Sequence, residues 1–251
     1  MNKQWNPNSY QEQCSFVYGY GKDLVTLLGP VRGKKIIDIG CGSAVLTDAL
    51  SLAGALVTGI DGSNDMVAKA KSQFPHLDIR NLDALELNFT EEFDAAFSNA
   101  VFHWIEKSKQ PVLLGNIARA LKKGGILVAE MGGLGCAQAV HSALANAFAK
   151  RGLLYVHPHY FPSIGEYSAL LEQAGLLVTY ASLFDRPTKM EGTKGLRNWI
   201  DMFVTAPFAT LSEEMQEQIR GEAEEALKEQ LFDGQDWIID YVRLRFRAEK
   251  R

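Results

Sequence analysis

Ile36-Ile37-Asp38-Ile39-Gly40-Cys41-Gly42-Ser43-Ala44 runs from an apolar segment through two glycines toward a helix. Lys35–Ile39 reads as a strand, and a helical pattern resumes at Thr47–Leu52. Glycine permits a tight turn and lets backbone approach a ligand with no Cβ in the way. The helix behind the turn offers unpaired N–H groups at its start. Dinucleotide-binding enzymes share such a turn, so its surroundings must say what it binds.

On both sides of this turn, short apolar runs alternate with helical patterns. Ala55–Ile60, Leu77–Asn81, Phe93–Ser98 and Gly125–Met131 read as strands, with helices over Ser63–Gln73 and Pro111–Leu121. That alternation predicts βαβ units with right-handed crossovers and a parallel sheet covered by helices. The later chain changes character. Cys136–Lys150 is Ala-rich and helical, and Leu153–Pro162 is an aromatic loop carrying histidines and prolines. Ser163–Ala174 opens on a capping box and stops at Gly175. Leu176–Phe184 and Trp237–Ala248 read as strands, and Gly192–Val204 and Ser212–Gln230 as amphipathic helices. The expectation is one α/β domain over residues 1–251, with a Rossmann-like, mostly parallel seven-stranded sheet flanked by helices. A helical cap insert, at about 186–235, would cover the carboxyl ends of the strands, where open α/β sheets bind ligands.

Net charge is −4 with both signs interspersed, so capture of nucleic acid or of an anionic membrane is not indicated. Cys14, Cys41 and Cys136 show no CxxC spacing, which argues against a disulfide framework or a structural zinc site. Met1–Gln13 has no apolar signal segment, and no window reaches the length of a membrane span. A cytoplasmic location is expected, and oligomeric state is not legible.

Three acids follow three successive strands. Asp38 stands two residues before the first glycine, where nicotinamide loops usually carry glycine or an apolar residue. Asp61 closes the next strand about 20 residues on, where a carboxylate can accept two ribose hydroxyls. Asp83 follows the third strand, where an adenine amino group would lie. With Asp61-Gly62-Ser63, Asp83-Ala84 and Leu121-Lys122-Lys123-Gly124-Gly125, the loop resembles the successive motifs of class I S-adenosylmethionine-dependent methyltransferases. The resemblance implies that Asp38, Gly40 and Gly42 lie against the methionine part of S-adenosylmethionine, Asp61 binds ribose, and Asp83 and Ala84 bind adenine. Cys41, Gly62, Ser63, Asn99 and Tyr10 complete the cofactor set it implies. Met66 either packs on the adenine face or belongs to the core. Two departures stand out, Ala44 for the third glycine and Lys123 for the usual proline. Trp5-Asn6-Pro7-x-x-Tyr10, Ser98-Asn99-Ala100-Val101-Phe102-His103-Trp104 and Trp199 further resemble the trans-aconitate methyltransferase group. That likeness implies an N-terminal segment, residues 1–30, folded over the cofactor. Trp5 and Tyr10 either cover it or anchor the terminus.

Methyl transfer needs alignment of donor and acceptor and exclusion of water, and a base only if the nucleophile arrives protonated. By position His103 is the candidate base, or else it shapes the pocket. Trp5, Phe102, His103, Glu130, His159 and Tyr160 are the candidate substrate wall. His157 and His159 have no third ligand nearby in sequence, so no metal is expected. Arg186, Arg197, Arg243 and Arg245 read as surface or salt-bridged side chains, with binding of an acceptor carboxylate as their alternative role. A small-molecule methyl acceptor is the functional expectation; the resemblance implies a carboxylic acid oxygen as its nucleophile, with carbon, nitrogen and other oxygen nucleophiles left open. A non-catalytic S-adenosylmethionine-binding protein and a NAD-dependent oxidoreductase are the competing readings.

Overall fold

In the computed structural model, which describes residues 23–251, the apolar run becomes strand β1 (Lys35–Ile39). The chain leaves it through Gly40 and Gly42, at φ 72° and 55°, and enters α1 (Val45–Leu52). Next come β2 (Leu56–Asp61), α2 (Asn64–Gln73), β3 (Asp78–Asn81), β4 (Phe93–Asn99), α3 (Gln110–Ala120) and β5 (Leu121–Gly132). The rest is α4 (Gln138–Ala149), α5 (Ile164–Gln173), β6 (Leu176–Asp185), β7 (Thr188–Met190), α6 (Gly195–Phe203), α7 (Glu213–Leu231), β8 (Trp237–Ile239) and β9 (Val242–Lys250). The cap expected at Ser163 forms, its Oγ accepting from the Glu166 N–H, and Ser63 Oγ likewise accepts from the Met66 N–H.

The seven-stranded sheet has the order β3-β2-β1-β4-β5-β9-β6. Strands β1 to β5 pair in parallel, and β9 runs antiparallel to both β5 and β6. The order reverses between β1 and β4, so the loops leaving those strands diverge and open a crevice there. The sheet is covered on both faces. Ile37, Phe93, Leu127 and Phe246 pack with Leu113, Ile117 and Tyr167 from α3 and α5 in one core. Ile36, Phe97 and Val128 pack with Leu24, Leu46 and Leu50 in another.

A separate apolar core joins α4, α6, α7 and the β7–β8 pair. It differs from the sequence expectation in two ways. Its chain comes from two stretches, because α4 precedes β6 and still packs against α7. The run Trp237–Ala248 also breaks into two strands. Asp240 turns its carboxylate to the Ala139 N–H at the start of α4, so β8 pairs with β7 away from the main sheet. In α7 the buried residues Ile219, Ala223, Leu227 and Leu231 recur every four positions, and the acidic face stays outside. Among the described residues no helix is long and apolar enough to cross a membrane.

Candidate functional site

A cleft of about 470 Å³ lies over the carboxyl ends of the first four strands. Gly40, Gly42, Asp61, Gly62, Ser63, Met66, Asp83, Ala84 and Asn99, all expected from the sequence, line it together. The Gly40 requirement is steric as well as conformational, since a Cβ there would lie 2.2 Å from Val101 Cγ2. At Gly42 a Cβ would meet nothing within 4 Å and would project into open space. Ala44, the departure from the third glycine, is itself left-handed at φ 64° and caps α1.

Asp61 braces the glycine turn. Its Oδ2 accepts from the Gly42 N–H at 3.0 Å and its Oδ1 from the Ser63 N–H at 2.8 Å. Burial pushes its pKa up, and these two bonds pull it back. A carboxylate oxygen has two lone-pair sites, so both oxygens can still accept from a diol. Asp83 Oδ1 accepts from the Leu85 N–H, capping the short helix Ala84–Glu86. Met66 is buried and also borders the cleft, so core and ligand-facing roles coexist. Carboxylates at two adjoining strand tips border the cleft together with the apolar side chains of Met66, Leu82 and Ile105.

Asp38 and Cys41 do not line the cleft. Asp38 is 3% exposed beneath the turn, where Thr47 Oγ1 donates to its Oδ2 at 2.6 Å. Burial pushes its pKa up to about 7; Thr47 opposes this and the Asp61 charge adds to it. Cys41 points the other way, into the core with Ala44, Val67, Ala70 and Ile79. The turn alternates its side chains, and only its glycines face the opening.

A smaller cavity of about 40 Å³ adjoins the cleft, and Ala100, Trp104 and Phe203 border both. Ala100, at φ 63°, is held by its N–H bond to the Glu130 carbonyl. His103 and His159 line the small cavity with Cys136, Trp199, Tyr241 and Arg243. The Gly132 N–H donates to His103 Nδ1 at 3.2 Å, so the neutral ring keeps its proton on Nε2. With Nδ1 accepting this bond, a neutral His103 has Nε2–H as its donor.

Three expected wall residues lie elsewhere. Phe102 is in the main core against Phe246, and Tyr160 packs on the same core beneath the Lys107 ammonium. Glu130 is 3% exposed and held by Arg186 and by Arg245, whose Nε donates to Glu130 Oε2 at 2.8 Å. Both guanidiniums engage its carboxylate oxygens. Trp5 and Tyr10 lie outside the described residues.

Two groupings border the small cavity; the first rests on an arginine already given a carboxylate-binding alternative, and the second escaped the sequence reading. Arg243 is 6% exposed, stacks 4.7 Å over Tyr241 and leaves Nε without an acceptor. Among the described residues no carboxylate pairs with it. The signal was the alternation of β9, which sets Arg243, Arg245 and Arg247 opposite the core-facing Leu244, Phe246 and Ala248. The second grouping is a third histidine, His141 of α4, brought to His157 and His159. No sequence spacing announces it.

Residues 37–129 match the family model described as a methyltransferase domain. An uncharacterized methyltransferase of Schizosaccharomyces pombe is 33% identical over 98% of this chain and 98% of its own length. The trans-aconitate 2-methyltransferase of Deinococcus radiodurans is 32% identical over 51% of this chain and 49% of its own. A methyltransferase structure from Bacillus halodurans superposes with a TM-score of 0.65 at 15% identity, covering 91% of this chain and 97% of that one.

Proposed function

The chain belongs to the class I S-adenosylmethionine-dependent methyltransferases, and from that premise we propose that it methylates a carboxylate oxygen of a small organic acid. The family sets aside the nicotinamide reading. S-adenosylmethionine would supply a methyl carbon bonded to a cationic sulfur, which leaves as neutral S-adenosylhomocysteine when an acceptor lone pair attacks that carbon in line. The protein's own residues bind, orient and dry the site. Asp61 accepts from the ribose hydroxyls and Asp83 from the adenine amino group, while Gly40 and Gly42 leave room for the amino-acid end. The core of α4, α6 and α7 acts as the cap, contributing Phe203, Thr205 and Ala206 to the cleft wall.

The observation that carries the acceptor proposal is Arg243, a buried guanidinium with no carboxylate partner among the described residues, beside the cofactor cleft. Guanidinium pairs with carboxylate through parallel charge-assisted hydrogen bonds. His103 Nε2–H adds a donor on the same wall. The small cavity accommodates a carboxylate group, and the rest of the acceptor extends past Ala100 and Trp104 toward the cleft. A carboxylate is already ionised near neutrality, so no general base is needed. The partial match to a trans-aconitate 2-methyltransferase supports the same acceptor class.

The test is a screen of small carboxylic acids and amines that follows S-adenosylhomocysteine release. Acids are expected to turn over. Arg243→Gln is expected to raise the acceptor KM about 10- to 100-fold, the loss of a charge-assisted bond, with S-adenosylhomocysteine affinity unchanged. Turnover confined to amines, or an unaltered KM in the variant, refutes the proposal.

A further inference from the structure

We propose that His141, His157 and His159 form a binding site for a divalent first-row transition-metal ion, beside the acceptor cavity and independent of the cofactor cleft. One ligand nitrogen from each lies within 4.8 Å of the others. The ring centroids are 3.9 Å apart for His141 and His157 and 5.9 Å apart for His157 and His159. Metal–nitrogen bonds of about 2.1 Å call for nitrogens roughly 3.4 Å apart, so closure needs each ring to draw in by about 1 Å.

The arrangement around the rings is that of ligands rather than of packing alone. His141 is 3% exposed on α4, and its Nε2 is buried with no hydrogen-bond partner. Its Nδ1 meets the Tyr155 hydroxyl at 2.6 Å. When Nδ1 donates to that oxygen, Nε2 presents a bare lone pair, the outer-shell pattern of metal-bound histidines. His157 ties Nδ1 to the His159 backbone, so Nε2 is the nitrogen left to bind. Three imidazoles suit zinc, copper, nickel or iron, and leave a coordination position for water or substrate. Because His159 also lines the acceptor cavity, an ion here would pin the loop at residues 153–162 to α4 and fix that wall.

Tag-free, chelator-stripped protein is titrated with Zn2+ against a chromophoric competitor. One zinc per chain at micromolar affinity or tighter is expected. His157→Ala, at an exposed position, is expected to weaken binding on the order of 100-fold, and Tyr155→Phe about 10-fold through the lost outer-shell partner. Circular dichroism and S-adenosylhomocysteine binding of His157→Ala should match the parent, showing an intact fold. The proposal is overturned by an absence of stoichiometric zinc at about 100 µM, an occupancy that a site as tight as other three-histidine centres would exceed. Wild-type affinity in both His157→Ala and His159→Ala also overturns it, because the ion would then sit elsewhere.

Discussion

Replacing each glycine of the first turn by alanine separates steric fit from ligand room. At Gly40 two costs combine. The left-handed conformation at φ 72° costs an alanine about 1 kcal/mol. The added Cβ lies 2.2 Å from Val101 Cγ2. Valine is stiff at χ1 and cannot swing clear, so overpacking adds about 1–3 kcal/mol. Gly40→Ala is therefore expected to destabilise the ligand-free protein by about 2–4 kcal/mol. Gly42→Ala bears only the dihedral cost, about 1 kcal/mol, because its Cβ meets nothing within 4 Å. Its methyl projects into the cofactor cleft, so S-adenosylhomocysteine affinity should fall more than stability does. The double variant Gly40→Ala/Val101→Ala should regain the steric part and not the dihedral part. Urea unfolding gives the stabilities and calorimetry the affinities. Equal stability losses at the two glycines, or no recovery in the double variant, would refute the assignment of Val101 as the obstacle.

Asp38, raised to about 7 in the fold against 3.8 as its ordinary value, holds its proton more tightly folded than unfolded. Its contribution to stability is thus full at acid pH and lost as pH rises from about 4 to about 7, so urea midpoints of the ligand-free protein should fall across that window. Asp38→Asn should flatten that slope, and an unchanged slope counts against the buried carboxyl. Glu130→Gln removes the charge held between Arg186 and Arg245 and should cost about 3 kcal/mol by urea unfolding; a cost below about 1 kcal/mol would mean water reaches the pair. Asp61→Ala should weaken S-adenosylhomocysteine binding by about 1–3 kcal/mol in calorimetry, and parental affinity would mean the ribose lies elsewhere.

The cofactor half of the site was legible in the chain because each of its parts is a local fact. An apolar run, two glycines and a helix start specify the turn from nine consecutive residues, Ile36 to Ala44. Asp61 and Asp83 reach the cleft because strand ends in a parallel sheet share one edge, so position along each strand is enough to place them. Side-chain direction within the turn was less legible. Asp38 and Cys41 belong to the motif, yet strand and turn geometry send them inward.

The acceptor side is different in kind. Glu130 looked like a group at the mouth of the cleft until β9 inserted between β5 and β6 and set Arg245 opposite it. The same insertion carries Arg243 beside a loop more than a hundred residues earlier in the chain, where a surface arginine becomes a buried one. His141 meets His157 and His159 only because α4 leaves the sheet to pack with α6 and α7. Periodicity and turn chemistry report what a residue does with its near neighbours. Burial and pairing of charges depend on which distant segments the packed cores bring against them, and that is settled when the cores form.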